Sequence, residues 1–381
     1  MAGKTVKSAR ASAAEIALTK LIQKDGPMAL SRFIQLANSD PDFGYYSRHQ
    51  AIGKAGDFIT APEISGLFGE MMAAFLTHIW QIFGQPDAHL AEAGPGRGTL
   101  LRDMHLTYEK IAPKLAKAPI HLIEASQRHR PAIAADLPEA DLQWHAHTAE
   151  MAARLEGKPL FGIGNEFLDA LGVDQAIFHQ GRWRDYRVAI AASGDEAPFQ
   201  LVPDAALSAS KDWSENWHLP AKPAEGDIAE YAPFANEAIA PIASHIAHYG
   251  GAFLIVDYGY EVPSGSTLQA VQNHQPVPFF SAVGTADLTH LVDFTALRGV
   301  VEANGARLVG PVGQGVFLRR LGIEARAERL RQPDKPLNDR TLFSALDRLI
   351  SPAQMGALFK VCAILPQGEG LPPGFEEVES R

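Results

Sequence analysis

Apolar residues recur every three or four positions through the first eighty residues, a spacing that predicts helices. One apolar face covers residues 16–22, and Gly26 and Pro27 should end that helix because both residues interrupt helical hydrogen bonding. Further faces cover residues 30–37 and 64–79. The pattern therefore predicts three successive helices.

The start of the third helix carries its own signal. Thr60 is followed three positions later by Glu63, the pattern of a capping box, and Pro62 is tolerated in a first helical turn. We therefore expect this helix to begin near Thr60. Residues 1–85 are predicted to form an N-terminal helical region.

From about residue 88 the pattern changes to short apolar runs that alternate, at first, with helical segments. Such a succession predicts a mostly parallel sheet with helices on both faces. The predicted strands cover residues 88–93, 120–125, 142–145, 160–164 and 253–257. The fold class is therefore α/β, with a Rossmann-like core.

A long interruption separates the fourth strand from the fifth. It contains three short runs typical of antiparallel strands and then an apolar helical pattern. The runs cover residues 173–178, 183–190 and 199–202, and the helix should cover residues 228–248. Residues 173–250 are therefore predicted to be an inserted α+β subdomain that covers the substrate side. The cofactor-binding core is left with residues 86–172 and 251–330.

The last third of the chain is harder to interpret. Residues 261–284 are polar and rich in glycine and proline, which predicts a long functional loop. Runs at residues 306–309 and 315–318 suggest a closing hairpin. Residues 331–381 are predicted to form a helical tail.

Composition excludes several classes of protein. The chain has 381 residues and a net charge of -10, and no basic face points to nucleic acid. Its single cysteine, Cys362, excludes an intrachain disulfide and a cysteine metal cluster. The histidines lack metal-site spacing, there is no G-x-S-x-G elbow, and no apolar run is long enough for a membrane span. We expect no metal and a cytoplasmic location.

The segment from Glu92 to Thr99 is the strongest chemical signal. It reads E-A-G-P-G-R-G-T, follows a predicted strand and opens a predicted helix. Gly94, Gly96 and Gly98 allow a tight turn and a close approach of backbone to ligand. The helix N-terminus beyond them offers free N–H groups. The segment therefore predicts a cofactor-binding loop that includes Thr99.

The spacing of the loop favours S-adenosylmethionine over a dinucleotide. It is E-x-G-x-G-x-G rather than G-x-G-x-x-G, and Glu92 would repel a pyrophosphate but tolerate an ammonium and a sulfonium. Glu124, at the end of the second predicted strand, can accept hydrogen bonds from ribose hydroxyls. The alternative is a structural turn with two incidental acids.

Asn165 and Glu166 follow the fourth predicted strand, where the substrate should meet the cofactor. An amide and a carboxylate there can orient a nucleophilic nitrogen, and a glutamate can bind a guanidinium group through two hydrogen bonds. Either residue, and Asp169 nearby, could instead serve a structural role. Glu63 and Asp57 are further candidates that could close over the site from the N-terminal helices.

Together these motifs resemble the MidA-like protein-arginine methyltransferases, the family of the mitochondrial complex I assembly methyltransferase. The resemblance covers nearly the whole chain. It is carried by the glycine loop, by Asn165-Glu166 and by strings at residues 26–28, 43–46, 56–64, 68–70, 257–260, 287–289, 292–294 and 355–360. Gly172, where proline is usual, and Gln269, where a basic residue is common, depart from the family pattern.

The resemblance implies methyl transfer from S-adenosylmethionine to arginine in a protein. In the mitochondrial member the target is a subunit of NADH–quinone oxidoreductase. A bacterial relative would be cytoplasmic, a eukaryotic one would lie in the mitochondrial matrix, and a homodimer is possible. Methylation of a small molecule and a non-enzymatic assembly role that retains the fold remain open alternatives.

Overall fold

The computed structural model describes residues 11–48, 60–193, 195, 197–204, 217–261, 265–332, 334–368 and 370–376. The strands are β1 Met28–Ala29, β2 His89–Ala93, β3 Ile120–Ile123, β4 Leu142–His145, β5 Leu160–Asn165, β6 Asp174–His179, β7 Arg182–Ile190, β8 Phe199–Pro203, β9 Ile228–Tyr231, β10 Gly251–Tyr260, β11 Gln269–Gln272, β12 Gln275–Pro276, β13 Asp287–Thr289, β14 Val292–Asp293, β15 Arg307–Gly313 and β16 Phe359–Leu365. The helices are α1 Ala13–Asp25, α2 Leu30–Ser39, α3 Tyr45–Arg48, α4 Ala61–Ile64, α5 Gly66–Ile82, α6 Thr99–Ile111, α7 Arg130–Asp136, α8 Thr148–Ala152, α9 Pro233–Tyr249, α10 Phe294–Ala303, α11 Gln314–Arg320, α12 Ile323–Arg329, α13 Pro336–Ile350 and α14 Met355–Leu358.

The central sheet has the order β15-β16-β10-β5-β2-β3-β4, and β14 pairs with the end of β10. Strands β2, β3, β4, β5 and β10 are parallel, as predicted. Every residue of β2 and β5 is buried because helices cover both faces of the sheet. The five predicted strands and the α/β class are confirmed.

The order of these strands creates a crevice. The chain runs from β2 to β3 on one side and returns through β5 to the other side of β2. In open α/β sheets, ligands bind beyond the carboxyl ends of the strands at such a reversal. The ends of β2, β3 and β5 carry the glycine loop, Glu124 and Asn165-Glu166 respectively.

The C-terminal part of the chain differs from the prediction. Residues 359–365 form β16, an almost wholly buried strand that lies antiparallel between β10 and β15. The predicted helical tail is therefore wrong at this point, since these residues complete the central sheet. The predicted hairpin is also wrong, because residues 315–318 belong to α11 and the hairpin partner of β15 is β16.

The insertion forms a separate antiparallel sheet. It contains β6, β7, β8 and β9, together with β1 from the N-terminal part, which pairs with β7. The predicted helix over residues 228–248 is corrected to strand β9 followed by α9, which begins at Pro233. The predicted loop over residues 261–284 contains β11 and β12, which join β13 in a small third sheet.

The N-terminal helices divide between two cores. Helices α1 and α2 pack with the inserted sheet and the third sheet. Helix α5 packs against α6 and the central sheet. The predicted capping box is wrong: Thr60 makes no side-chain cap, α4 ends at Ile64, and Ser65 caps α5.

Three histidines that are far apart in the sequence meet on one face of the central sheet. His121 lies 2.8 Å from His89 and 2.9 Å from His145, measured between ring nitrogens. Burial lowers the pKa of all three. Within the described ranges, no cluster of His, Cys, Asp and Glu has the geometry of a metal site. No helix in that part of the chain is long and apolar enough to cross a membrane.

Candidate active site

One cavity of about 730 Å³ lies at the carboxyl ends of the central strands. It contacts the glycine loop, the loops after β3, β4 and β5, helix α9 and the N-terminal helices. Its acidic lining residues are Glu124, Glu166, Asp169, Glu237 and Asp287. Among the described residues that line it there is no lysine or arginine. The lining therefore suits a positively charged ligand better than an anionic one.

The glycine loop contributes two of its glycines to the cavity wall. Gly94 and Gly96 have φ angles of 69° and 51°, a backbone conformation that favours glycine. Gly98, with a φ of 79°, caps α6 in the left-handed conformation. A Cβ atom on Gly98 would lie 2.7 Å from Ile133, so its role in the structure is close packing against α7.

Glu124 lies in the cavity wall beyond β3, together with Ser126 and the loop at residues 146–149. Its carboxylate accepts a hydrogen bond of 2.7 Å from the Ser126 backbone N–H. Burial raises the pKa of Glu124 despite that bond. The carboxylate is therefore held in place on one side while it faces the cavity on the other.

Glu92 does not line the main cavity. Its carboxyl points to the opposite face of β2, into a void of about 10 Å³ that Leu90, Leu101 and Tyr108 also line. Burial raises its pKa to about 8. Glu92 was predicted to hold the amino end of the cofactor. The structure instead turns its side chain toward α6, because successive side chains of a strand point to opposite faces of the sheet.

Glu63 holds the glycine loop from the N-terminal side. Its Oε1 accepts a hydrogen bond of 2.5 Å from the Thr99 hydroxyl, and Arg97 lies 3.6 Å from its Oε2. Thr99 was predicted to contact the cofactor, but the structure turns its hydroxyl to Glu63. Since the backbone N–H of Ala61 reaches Glu166, α4 connects the glycine loop to the loop after β5.

We expect Glu63→Ala and Thr99→Val to be coupled. Because the hydrogen bond joins a hydroxyl to a carboxylate, the coupling in the free energy of unfolding should be about 1.5 kcal/mol. Urea denaturation of the two single variants and the double variant measures it. Thr107→Val is the matched control, since the Thr107 hydroxyl on the same helix donates to the Asp103 carbonyl and not to Glu63. Its effect should simply add to that of Glu63→Ala. Additive effects of Glu63→Ala and Thr99→Val would contradict this contact.

Asn165 and Glu166 end β5 at the cavity. Glu166 has a φ of 50°, which is uncommon for a residue with a side chain. Its Oε1 accepts hydrogen bonds from Asn165 Nδ2 at 3.1 Å and from the backbone N–H of Ala61 at 3.4 Å. These contacts fix the carboxyl group at the cavity wall.

Burial and nearby negative charge change the acidity of Glu166. Burial is the main cause and the charge of Asp169 adds to it, and together they raise its pKa to about 7. The hydrogen bonds from Asn165 and Ala61 oppose that rise. Glu166 can therefore gain or lose a proton near neutral pH.

Asp257 organises the loop that follows Glu166. Its Oδ2 accepts backbone hydrogen bonds from Leu168 at 2.9 Å and from Asp169 at 3.3 Å. Asp257 is fully buried, and burial raises its pKa well above the usual range. The loop after β5 is thus fixed by an acid that belongs to β10.

Two tyrosines and one acid at the cavity, Asp287, were not predicted as site residues, whereas Asp169 was left open between a functional and a structural role. The Tyr46 hydroxyl donates to Asp287 Oδ1 at 2.7 Å, and the Tyr258 hydroxyl interacts with Asp169. The sequence did mark Tyr46, Tyr258 and Asp287, since they lie in the family strings at residues 43–46, 257–260 and 287–289. The strings themselves gave no role for these residues. Asp57, the remaining predicted site residue, lies outside the described residues.

The walls of this part of the cavity are fixed by α2. Asn38 is fully buried, and its Nδ2 donates to the carbonyls of Ala170 at 3.1 Å and Leu288 at 2.7 Å. A Cβ atom on Gly172 would lie 2.0 Å from the Ser31 carbonyl oxygen. Glycine at position 172, a departure from the family pattern, therefore fits the close contact with α2.

A parallel sheet closed by an antiparallel strand, with a glycine loop and an acid beyond the first two core strands, defines a class I methyltransferase. A sequence profile of S-adenosyl-L-methionine-dependent methyltransferases matches residues 71–312. The chain belongs to this family, as the resemblance in its sequence predicted.

Named relatives cover most of the chain. The mitochondrial protein arginine methyltransferase NDUFAF7 of Rattus norvegicus is 32% identical over 91% of this chain and 82% of its own length. The Drosophila melanogaster homolog is also 32% identical, over 91% of this chain and 83% of its own. A Burkholderia thailandensis protein crystallised with S-adenosyl-homocysteine superposes with a TM-score of 0.79 at 25% identity, over 95% of this chain and 94% of its own.

The cavity fits S-adenosylmethionine. Its volume is within the usual range for ligand sites, roughly 300–1,000 Å³. Gly94 and Gly96 line the cavity, and Glu124 beside them can receive the ribose hydroxyls. An acidic lining matches a ligand that carries an ammonium and a sulfonium, and it would repel a pyrophosphate.

Proposed function

We propose that this enzyme methylates arginine side chains in a protein substrate. The observation that supports it best is the acidic lining beside the glycine loop, where Glu166 and Asp169 face one cavity with the cofactor-binding residues. A guanidinium group is a planar cation whose N–H groups pair with carboxylates. The names of the relatives point to the same substrate class.

The residues of this chain would act mainly by positioning. S-adenosylmethionine, when bound, supplies an electrophilic methyl group. The Glu166 carboxylate would hold the guanidinium group and direct one of its nitrogens toward that methyl group, and orientation of this kind supplies much of the acceleration in a displacement. The methylated nitrogen must also lose one proton. A carboxylate with a pKa of about 7 is a suitable acceptor for it.

Transfer of labelled methyl groups tests the proposal. Protein extract from cells that lack the gene is incubated with S-adenosylmethionine labelled in its methyl group, with and without the purified enzyme. The proposal expects label in a protein band and, after acid hydrolysis, in methylarginine. Label confined to small metabolites would favour a small-molecule methyltransferase, and no label in either fraction would favour an assembly factor without activity.

We expect the activity to depend on pH through Glu166. Because the ionised carboxylate binds the guanidinium group, kcat/KM for an arginine peptide should rise with pH and level off above about 7. The profile of Glu166→Gln should lose this rise. Rates measured from pH 5.5 to 8.5 check it. A wild-type kcat/KM that is flat or falls across this range would contradict the role of Glu166.

The partner and the compartment follow from the same proposal. We infer that the substrate is a protein such as a subunit of NADH–quinone oxidoreductase, and that the enzyme acts in the cytoplasm of a bacterium or in the mitochondrial matrix of a eukaryote. The relatives from Rattus norvegicus and Drosophila melanogaster are mitochondrial proteins. A homodimer stays a prediction, as do the domain limits given above.

A further inference from the structure

The acid–tyrosine cluster comprises the cavity residues Tyr46, Glu166, Asp169, Tyr258 and Asp287. They come from α3, from the loop after β5, from β10 and from β13. The parts of the chain that meet here are up to about 240 residues apart, as the Tyr46–Asp287 hydrogen bond shows. The cluster therefore exists only in the folded protein, next to the proposed position of the arginine.

One carboxylate oxygen in this cluster is left without a partner. Asp169 is 4% exposed, and its Oδ1 has no hydrogen-bond donor among the described residues. Buried polar groups are nearly always paired, because an unpaired one loses its hydration without compensation. Asp169 also lines the cavity, so a ligand donor that reached this oxygen would supply the missing partner.

Other oxygens nearby lack donors as well. Gln35 Oε1, on a residue that lines the cavity, and Asn165 Oδ1 are buried without a partner in the described part of the chain. The Tyr46 hydroxyl already donates to Asp287. These unpaired oxygens are hydrogen-bond acceptors, so they suit a ligand that only donates hydrogen bonds.

The number and spread of these acceptors favour a guanidinium group over an ammonium group. A guanidinium group has five N–H donors fixed in one plane, whereas an ammonium group has three donors around one point. The carboxylate of Glu166 can accept hydrogen bonds from only two of these five N–H donors. A second carboxylate is needed if the other side of the plane is also buried.

We propose that Asp169, supported by Tyr258, is a second guanidinium-binding residue that acts with Glu166 and selects arginine over lysine. This inference rests on the proposed function. It adds a specificity-determining residue to the site and assigns Tyr258 as a positioning residue, because its hydroxyl interacts with Asp169.

Several groups face Asp169 and influence its charge. Those that interact with it are Glu166, Asp257, Tyr46, Tyr258 and His290. Asp287 and Thr289 on β13 act on the two tyrosines. Burial raises the pKa of Asp169, while Tyr258 and the charge of His290 oppose that rise. A bound cation would favour the ionised form, so binding should lower the pKa of Asp169.

Proton release on binding tests the inference directly. The protein saturated with S-adenosyl-homocysteine is titrated at pH 6.0 with acetyl-Gly-Arg-Gly-amide or with its lysine counterpart in a calorimeter. Two buffers of different ionisation enthalpy give the number of protons released. Glu166 should contribute about 0.9 proton, since its pKa is about 7. Wild type should release more than this and bind the arginine peptide more tightly.

Asp169→Asn keeps the shape of the side chain and removes its charge. We expect its proton release to fall to that of Glu166 alone, its arginine affinity to fall at least about tenfold, and its preference over lysine to disappear. An unchanged melting temperature and an unchanged affinity for S-adenosyl-homocysteine would show that the variant is folded. Tyr258→Phe should give a smaller loss in the same direction.

The outcomes separate this inference from the proposed function. Only the inference would be overturned if Asp169→Asn kept the proton release and the arginine preference of wild type while Glu166→Gln lost both. If the wild-type complex binds neither peptide, or prefers the lysine peptide, both the proposed function and the inference are overturned. A variant that no longer binds S-adenosyl-homocysteine would show that Asp169 is structural, which also overturns the inference.

Discussion

Gly96→Val should weaken the binding of S-adenosyl-homocysteine by more than about 100-fold. Gly96 has a φ of 51°, where a β-branched residue is strained by roughly 1–2 kcal/mol, and its α-carbon faces the cavity. The added methyl groups would occupy space that the cofactor needs. Calorimetric titration of wild type and variant measures the change.

A matched control separates backbone strain from loss of the cofactor site. Gly181, between β6 and β7, has a φ of 76°, and a Cβ atom there would have no neighbour within 4 Å. Gly181→Val introduces similar strain far from the cavity, so it should bind S-adenosyl-homocysteine as wild type does. Equal affinity of wild type and Gly96→Val would show that the cofactor does not use this loop.

Glu166→Gln should lower kcat by about 100-fold to 1,000-fold, within the range for loss of a positioned acid–base group. The amide keeps the shape of the side chain and can still accept the hydrogen bond from Ala61, but it cannot attract a cation or accept a proton. Affinity for S-adenosyl-homocysteine should change less than about twofold. Single-turnover rates, read as methylarginine by mass spectrometry, test this.

The matched control is Glu324→Gln. Glu324 lies in the first turn of α12, is exposed and pairs with Arg319. Removing this charge should leave both kcat and cofactor affinity unchanged. A Glu166→Gln enzyme with wild-type kcat would mean that the carboxylate neither orients the substrate nor receives its proton.

The parallel core was predictable because its signals are local. Each buried strand is a short apolar run, and the helices between the first four strands have their own periodicity. Strand β16 was missed because its apolar run, residues 361–365, does not distinguish a strand from a buried helix. Its partners β10 and β15 lie earlier in the chain and cannot be identified from the run itself. Strand β9 was merged with α9 because both are partly apolar.

The candidate site was predictable where topology alone positions residues. Gly94, Gly96, Glu124 and Glu166 follow parallel strands, and the structure places all four at one cavity. Glu92 differs because the alternation along β2 turns its side chain away. The contacts of Tyr46 with Asp287 and of Tyr258 with Asp169 join distant segments without any periodic pattern. Sequence strings marked those residues, but only the folded chain shows their roles.

A crystal structure with S-adenosyl-homocysteine and an arginine peptide would test the central claim most directly, which is that one acidic cavity holds both the methyl donor and the guanidinium group. The account predicts the nucleoside between the glycine loop and Glu124, with the guanidinium group against Glu166. A nucleoside bound elsewhere, or a peptide whose arginine lies outside this cavity, would contradict it.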